Sequence, residues 1–321
     1  MTITTGAPER VHVLILGCGF AARLHSRVLR RCGHALSYAS RDRSRSETLR
    51  RRFGGRHAFG SYADGLAESR ADVALIATPT TMHRELALLA LGVGKHVIVE
   101  KPAFLDVAEA DDVAAAAARA GRSVFVAENY FYKPIAEHLR RTLASGDLGE
   151  VRFLTLNATK RQHLTGWRRD AALSGGGALF EGGVHWINFA SNIGLEVGEV
   201  TALRAGAASG ERADLSSLVV FRYQGGAVGT LAYSWEIAAP FGHVRVSKVQ
   251  GTLGAVTFES NGFAHVTTGR RPSAGVLLRD PLGYGAMHAD FLGALRDGRP
   301  PRFTLALARR DLQLLARCNP D

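Results

Sequence analysis

The chain of 321 residues is 46% apolar and carries a formal net charge of +11. This length is typical of two domains rather than one small core. No apolar run reaches the roughly 20 residues that span a bilayer, and the first ten residues lack the apolar core of a signal peptide, so we expect a cytoplasmic protein without a membrane partner.

The distribution of charge and cysteine argues against two further classes of protein. Arginine is spread along the chain, with its densest run at 41–52, and neither interleaved aromatic residues nor a nucleic-acid-binding motif accompanies it. The three cysteines have neither metal-ligand nor disulfide spacing; they are Cys18, Cys32 and Cys318. We therefore expect no nucleic-acid partner and no metal.

The first half of the chain alternates between strand and helix patterns. Residues 11–16 form a continuous apolar run of strand length, and residues 20–31 after it have helical periodicity. Further strands are predicted at 36–39, 73–77, 96–99 and 124–127, and further helices at 44–53, 82–91 and 106–120. Strands joined by helices form a parallel sheet covered on both faces. We predict a doubly wound α/β Rossmann domain over residues 8–128.

The second half changes to longer segments in which apolar residues alternate with polar ones. A helix at 135–145 is followed by alternating segments at 151–158, 215–223, 227–237, 243–250 and 255–259, and helices at 286–296 and 306–317 end the pattern. Such alternation is typical of half-buried antiparallel strands. We predict an α+β domain over residues 129–321, built on an open and mainly antiparallel sheet.

A glycine motif follows the first predicted strand. Gly17, Gly19 and Ala22 fit the pattern G-x-G-x-x-A: the first permits a tight turn, the second lets the backbone approach a pyrophosphate, and the third allows close packing of helix on strand. Phe20 begins the helix whose N-terminus would face the anion. The strand before, the helix after and the parallel sheet beyond predict a dinucleotide-binding site.

The residues after the second predicted strand distinguish NADP from NAD. Ser40 stands where an acidic residue would bind the ribose 2′-hydroxyl, and Arg41 follows it with a guanidinium suited to a 2′-phosphate. This favours NADP(H). Asp42 keeps NAD open as an alternative, because a strand ending one or two residues later would direct its carboxylate to the ribose.

Four motifs follow one another along the chain: the glycine turn, Thr78-Pro79-Thr80 with His83, Glu100-Lys101-Pro102, and the segment 175–185 with Glu181 and His185. In this order they resemble the glucose-fructose oxidoreductase/inositol dehydrogenase/rhizopine-catabolism (Gfo/Idh/MocA) family of NAD(P)-dependent oxidoreductases. The resemblance covers the chain from about residue 11 to residue 317. Glu-Lys-Pro combined with the downstream histidine is more specific than the glycine turn.

The resemblance implies roles for several of these residues. Lys101 and His185 would lie beside the nicotinamide, and Thr78, Pro79 and His83 would line the cofactor cleft. The Lys101-Pro102 peptide would be cis. The open sheet would form a homodimer or homotetramer.

Alcohol oxidation needs a base with a pKa near neutrality and a cation or donor that orients the oxygen. His185 suits the first role and Lys101 the second, and in the reverse direction His185 is the acid while Lys101 polarises the carbonyl. Glu100 would orient Lys101 or bind the nicotinamide ribose. Taken without the family, a histidine between Val184 and Trp186 is better explained as a hydrogen-bonded structural residue.

Two residues depart from the family pattern. Members usually carry Asp four residues before this histidine and another Asp three residues after it, whereas this chain has Glu181 and Asn188. Glu181 keeps the charge on a longer stem and is expected to hold His185 or a substrate hydroxyl. Asn188 loses the charge, so substrate preferences of better known members do not transfer.

Further candidates for substrate binding lie on either side of the domain junction. Asn129 and Tyr130 follow the last predicted parallel strand, where the family places substrate-facing residues. Lys160, Trp167 and Arg168 precede the glycine-rich block and suit a polyhydroxylated or anionic substrate, although a tryptophan flanked by cations is also common at surfaces.

The sequence thus predicts an NADP(H)-dependent oxidoreductase acting on a sugar, sugar derivative, cyclitol or related alcohol or ketone. Two alternatives stay open: a glycosidase that retains its nicotinamide, and a catalytically silent regulator that senses NADP(H) on the same fold.

Overall fold

The computed structural model describes residues 10–162, 177–205, 215–238 and 244–318. The chain divides into two compact units. One comprises the chain up to Ala127 together with Met287–Ala306, and the other comprises Glu128–Ala286 together with the chain from Leu307 onward. None of the helices in the described ranges is long and apolar enough to cross a membrane.

A six-stranded parallel sheet forms the centre of the first unit. In the order β3-β2-β1-β4-β5-β6, neighbouring strands are all parallel. This order is that of the doubly wound nucleotide-binding fold and places the topological switch point between β1 and β4. The predicted Rossmann sheet is confirmed. The strands are β1 (His12–Leu16), β2 (Ala35–Ala39), β3 (Ala58–Phe59), β4 (Val73–Ile76), β5 (His96–Glu100) and β6 (Val124–Ala127).

Helices join these strands, and local signals define their ends. At α5, Asp106 caps the N-terminus by accepting a hydrogen bond from the Glu109 backbone nitrogen at 2.8 Å, and Gly121 ends the helix in the left-handed region with φ of 59°. Every residue of β1 and β4 is buried, as expected of strands inside a parallel sheet. The helices are α1 (Phe20–Arg31), α2 (Arg43–Phe53), α3 (Tyr62–Glu68), α4 (His83–Gly92) and α5 (Val107–Ala120).

The sequence analysis missed β3 and α3. Strand β3 has two residues, too few for any periodicity to show, and it exists because Ala58 and Phe59 pair with Tyr38 and Ala39 of β2. Helix α3 follows at once, with the Ser61 hydroxyl accepting from the Asp64 backbone nitrogen at 3.0 Å.

The second unit contains an eight-stranded mixed sheet in the order β14-β13-β12-β11-β7-β10-β9-β8. Strands β7 and β10 pair in parallel, and the other pairs are antiparallel. The predicted open, mainly antiparallel sheet is confirmed. The strands are β7 (Val151–Thr159), β8 (Val197–Arg204), β9 (Ser216–Tyr223), β10 (Val228–Ser234), β11 (Val246–Gly251), β12 (Ala255–Glu259), β13 (Ala264–Thr267) and β14 (Ser273–Val276).

Helices cover one face of this sheet. Helix α7 packs on it through Phe189, whose ring centroid lies 5.8 Å from that of Phe258, and the Tyr223 hydroxyl donates to the Ala190 carbonyl at 3.2 Å. A π-helical segment, Leu179–Gly183, runs directly into α7. The helices are α6 (Pro134–Ala144), α7 (Val184–Ser191), α8 (Tyr284–Asp297) and α9 (Leu305–Cys318), and the division between the two units falls within α8 and again within α9.

Candidate functional site

The turn after β1 has the backbone geometry that its glycines predict. Gly17 adopts φ of +101°, and a Cβ atom there would lie 2.5 Å from the carbonyl oxygen of Ala77. Its backbone nitrogen donates to the Ala39 carbonyl at 2.9 Å, which ties the turn to β2. No other residue type fits at this position without moving the backbone.

The N-terminus of α1 is open to a ligand. Gly19 is the N-cap, no side chain caps the helix, and its first turn contains no acidic residue. A Cβ on Gly19 would meet no atom within 4 Å, while Ala22 is fully buried. Phe20 is 70% exposed beside this turn. Uncapped amide groups at a helix N-terminus form an anion site, which suits a pyrophosphate.

The strand end that distinguishes NADP from NAD lies where the sequence analysis placed it. Strand β2 ends at Ala39, and Ser40 after it is buried. Asp42 is the N-cap of α2, and its Oδ1 accepts from the Ser44 backbone nitrogen at 2.9 Å and from the Ser44 hydroxyl at 2.6 Å. These bonds lower the pKa of Asp42. Its carboxylate is thus engaged with its own helix, whereas Arg41 is exposed.

The loop after β4 contains a buried polar atom without a partner. The Thr78 hydroxyl oxygen is buried and forms no hydrogen bond among the described residues. His83 is fully buried and lies between three carbonyl oxygens: its Nε2 is 2.9 Å from that of Thr78, and its Nδ1 is 3.0 Å and 3.1 Å from those of Pro102 and Ala103. His83 therefore connects two loops, while the hydroxyl of Thr78 and the glycine turn fit a bound dinucleotide. Pro79 directly follows Thr78 and precedes the 3₁₀ turn Thr80–Met82.

The carboxylate of Glu100, at the end of β5, has a histidine partner that the sequence analysis missed. One Glu100 oxygen lies 2.7 Å from His25 Nε2, and the other accepts from the Lys101 backbone nitrogen at 3.1 Å. His25 Nδ1 is in turn 2.8 Å from His288 Nε2. Burial, and secondarily the charge of His25, lower the pKa of His288 well below its ordinary value. The result is a buried His288–His25–Glu100 chain next to Lys101, whose peptide bond to Pro102 is cis as the resemblance implied.

In the second unit, His185 is held by a carboxylate. Its Nδ1 lies 2.6 Å from Oε1 of Glu128, a buried residue directly after β6. The Tyr130 ring stacks on the imidazole, with centroids 4.3 Å apart and an interplanar angle of 14°. The Tyr130 backbone nitrogen donates to the same Glu128 oxygen at 3.0 Å. Glu128 therefore orients both rings, a role for which the sequence analysis considered Glu181.

Glu181 and Asn188 flank His185 in the chain but have different surroundings. Glu181 is buried in the π-helical segment. Burial of Tyr233 raises the pKa of its hydroxyl well above the ordinary value, and the charge of Glu181 adds to this rise. Asn188 is fully buried, and its amide donates to the Asp311 carboxylate at 2.6 Å. Asn188 thus belongs to a buried pair between α7 and α9.

The remaining predicted substrate residues are placed as follows. Asn129 is buried, and its side-chain amide donates to the Leu282 carbonyl at 2.7 Å. Lys160 is half-buried, and its backbone nitrogen donates to the Ser234 carbonyl at 2.9 Å. Trp167 and Arg168 lie outside the described residues.

A parallel sheet of this order, with a glycine turn at the switch point, defines a nucleotide-binding Rossmann unit. Comparison with known families supports the same class of protein. The model of an oxidoreductase family with an NAD-binding Rossmann fold matches residues 11–128, and the model of the GFO/IDH/MocA C-terminal domain matches residues 136–257. The chain belongs to the Gfo/Idh/MocA family of oxidoreductases.

Curated relatives match part of the chain. An uncharacterized oxidoreductase, ORF334, of Rhizobium meliloti is 34% identical over 155 residues, which are 47% of this chain and 45% of the relative. Trans-1,2-dihydrobenzene-1,2-diol dehydrogenase of Bos taurus is 29% identical over 215 residues, which are 65% of this chain and 62% of the relative. The chain thus spans about half to three fifths of these relatives.

Solved structures match nearly the whole chain. GenD2 from gentamicin A biosynthesis, in complex with NAD, is 26% identical with a TM-score of 0.83, covering 97% of this chain and 94% of that one. Aldose-aldose oxidoreductase from Caulobacter crescentus, complexed with glycerol, is 22% identical with a TM-score of 0.84, covering 96% of each chain. The second likeness concerns the fold alone.

Proposed function

We propose that this protein is an NADP(H)-dependent oxidoreductase. It transfers a hydride between the nicotinamide and a CH–OH or C=O group of a sugar, sugar derivative, cyclitol or related small molecule. The observation that carries the proposal is the contact of 2.6 Å between His185 Nδ1 and the buried carboxylate of Glu128. A carboxylate that accepts from the Nδ1 hydrogen holds the imidazole in one tautomer. Nε2 is then the atom that exchanges a proton with a substrate oxygen.

Each proposed catalytic residue has one task. His185 removes the hydroxyl proton in oxidation and returns it in reduction, and Glu128 stabilises the imidazolium between the two events. Lys101 orients the substrate oxygen and polarises the carbonyl, while Glu100 fixes the Lys101 backbone through the hydrogen bond of 3.1 Å. Glu181 and Tyr130 are proposed to contact the substrate, together with Asn129, Lys160, Trp167 and Arg168.

The dinucleotide is proposed to bind the first unit. When bound, it supplies or accepts the hydride. Gly17, Gly19, Phe20 and Ala22 would surround the pyrophosphate, and the Thr78 hydroxyl, buried without a partner among the described residues, would gain one. Arg41 would bind a 2′-phosphate beside Ser40. The capping role of Asp42 supports NADP over NAD, since its Oδ1 already accepts two hydrogen bonds from Ser44.

The activities for which similar proteins are named support a hydroxylated substrate. The bovine relative is a trans-1,2-dihydrobenzene-1,2-diol dehydrogenase, and one structural neighbour is a protein of gentamicin A biosynthesis solved with NAD. We further propose that the protein is cytoplasmic and forms a homodimer or homotetramer.

The test begins with fluorescence titration of cofactor-stripped protein with NADPH and NADH. NADPH should bind about tenfold more tightly, equivalent to about 1.4 kcal/mol, and Arg41→Ala should remove this preference. Asp42→Asn is the matched control, because Asn caps a helix as well as Asp. It should leave the preference unchanged, whereas weaker NADH binding by this variant would identify Asp42 as the ribose ligand.

Turnover is then measured with a panel of sugars, cyclitols and ketones. Lys101→Met and His185→Ala should bind NADPH normally and lose turnover. Turnover of both variants at the wild-type rate would refute the assigned roles. A nicotinamide that survives dialysis, with glycoside cleavage, would instead identify the retaining glycosidase, and NADPH-dependent partner binding without turnover would identify the regulator.

A further inference from the structure

Two buried cations of the second unit form no ion pair with the carboxylates that the structure describes. Lys133 is 2% exposed and Arg245 is 7% exposed. Neither forms an ion pair within the part of the chain that the structure describes. Buried charges in proteins are ordinarily paired, because leaving an ion unpaired in a medium of low dielectric constant is costly.

These two side chains converge on one residue. The Lys133 amine donates to the Asn261 carbonyl oxygen at 3.0 Å, and the Arg245 guanidinium donates to Asn261 Oδ1 at 2.6 Å. Arg245 also reaches the Thr159 carbonyl at 3.3 Å, directly before Lys160 in the chain. The Nε atom of Arg245 is buried without a hydrogen-bond partner among the described residues.

The nearby carboxylates are engaged elsewhere. Both oxygens of Glu259 accept hydrogen bonds from Asn261, one from its backbone nitrogen at 3.0 Å and one from its side-chain amide at 2.8 Å. Glu128 accepts from Tyr130 and contacts His185. Burial lowers the pKa of Lys133 to about 7, and the attraction of Glu259 does not offset this. A further anion beside Lys133 would favour the charged form of its amine.

We propose that Lys133 and Arg245 form a binding site for an oxyanion, a carboxylate or a phosphate, carried by the substrate. The anion would accept from the Lys133 amine and from Arg245 Nε, supplying the counter-charge that both cations lack. Arginine and lysine are the usual partners of such groups, and their charged hydrogen bonds are about twice as strong as neutral ones.

The Tyr130 ring connects this anion site to His185. The Lys133 amine lies 3.7 Å from the Tyr130 ring centroid, and the His185 ring stacks on the same tyrosine at 4.3 Å. The substrate class that follows is a hydroxylated compound with an acidic group, such as a sugar acid or sugar phosphate. This assignment of substrate class rests on the proposed function, whereas the anion site itself does not.

The experiment measures the thermal unfolding midpoint of the full chain, without nicotinamide, in the presence of D-gluconate, D-glucose 6-phosphate or D-glucose. Stabilisation by gluconate or by the phosphate, but not by glucose, supports the site and identifies which oxyanion it takes. Lys133→Met and Arg245→Met should weaken that binding about tenfold each, the loss expected for a charged hydrogen bond. Lys248→Met, at an exposed lysine of β11, is the matched control and should bind as the wild type does.

Lys133→Arg keeps the positive charge. It distinguishes a loss of binding caused by the missing charge from a loss caused by misfolding. It should retain more of the binding than Lys133→Met. Equal stabilisation by glucose and by both anions, or anion binding that survives in Lys133→Met and Arg245→Met, would overturn the inference. Because the assay contains no nicotinamide, its failure is distinct from a failure of NADPH titration, which would refute the proposed function instead.

Discussion

The orientation of His185 depends on one carboxylate that the sequence analysis did not select. Glu128 follows the last parallel strand, and the motif directed attention to Asn129 and Tyr130 beside it. In the structure, Glu128 is the residue that contacts His185 Nδ1, while Asn129 bonds to the backbone of Leu282. The position was predictable, since ligands of doubly wound sheets bind beyond the carboxyl ends of strands. That Glu128, rather than Glu181, would place its carboxylate on His185 Nδ1 was not.

Glu128→Gln tests this orientation. The amide keeps the size of the side chain but removes the charge that stabilises the imidazolium, so kcat should fall on the order of 100-fold while the Kd of NADPH stays unchanged. The pH–rate profile should change as well, because the variant removes the charge that lies 2.6 Å from His185 Nδ1.

The control for Glu128→Gln is Glu137→Gln, which alters a partly exposed ion pair with Arg140 on α6. It should leave both kcat and the pH profile as in the wild type. An unchanged pH profile in Glu128→Gln would show that Glu128 does not act through His185.

The buried pair of His25 and Glu100 should be important for the stability of the first unit. His25 is fully buried and its Nε2 lies 2.7 Å from the Glu100 carboxylate. His25→Leu removes the histidine contact of this buried carboxylate, which costs about 3 to 5 kcal/mol of the free energy of unfolding. Denaturant unfolding measures the loss.

Two further variants make that experiment decisive. Arg84→Ala breaks the exposed pair of Arg84 and Asp112, 2.6 Å apart, and should cost less than about 1 kcal/mol. The double variant His25→Leu with Glu100→Gln should recover part of the loss, because it also removes the carboxylate charge that His25 contacts. Equal losses for His25→Leu and Arg84→Ala would contradict a stabilising contact between His25 and Glu100.

At the level of elements, a carboxylate on α9 lies beside Asn188 of α7, the position at which members of the family usually carry an aspartate. Asn188 on α7 donates to Asp311 on α9, and the Ser191 hydroxyl donates to the other Asp311 oxygen at 2.9 Å. A second aspartate at position 188 would place two carboxylates together in a buried place. The departure from the family pattern is thus compatible with the acid on α9, 123 residues away along the chain.

The burial of Asp311 makes stability depend on pH. Burial raises the pKa of Asp311 to about 6 from 3.8. A raised pKa contributes stability that is complete below pH 4 and is lost as the pH rises through 6. This group should therefore lower the free energy of unfolding by about 3 kcal/mol between pH 4 and pH 7.

Asp311→Asn should remove that part of the pH dependence in urea unfolding. Asp112→Asn, at an exposed carboxylate, should keep it. A pH dependence that is identical in the wild type and in Asp311→Asn would show that Asp311 titrates normally.

Helix α7 itself illustrates why some elements escape sequence analysis. Its residues are almost all buried, so apolar positions do not recur on one face and no period of 3.6 is visible. The preceding π-helical turn shifts the register further. Helix α1 was predicted at its full length, because one side of it is exposed and its polar residues mark that side.

Across the whole molecule, the outer face of the eight-stranded sheet carries exposed apolar side chains. Leu203 pairs with Leu218, and Val228 pairs with Phe153, so the four share one face. They are between 38% and 63% exposed. Exposed apolar side chains gathered on one face of a sheet favour an interface, and a second copy of the chain is the occupant we propose.

Leu218→Asp or Phe153→Asp should reduce the mass of the protein measured by light scattering from a dimer or tetramer to a single chain. A charge in the centre of an apolar interface loses its hydration without gaining a partner. Leu89→Asp is the control, at an exposed leucine of α4 in the first unit, and should leave the mass unchanged. A wild-type mass of one chain would refute the oligomer.

The sequence by itself determined the features that depend on near neighbours in the chain. Apolar runs and alternation predicted both sheets, and glycine at position 17 predicted the turn, because periodicity and backbone freedom are local properties. The tertiary structure alone decided the partners of the buried charges. His25 meets His288 across 263 residues, and His185 meets Glu128 across 57. A hydrogen bond depends on distance in space, and no local pattern encodes which distant side chain the fold brings within reach.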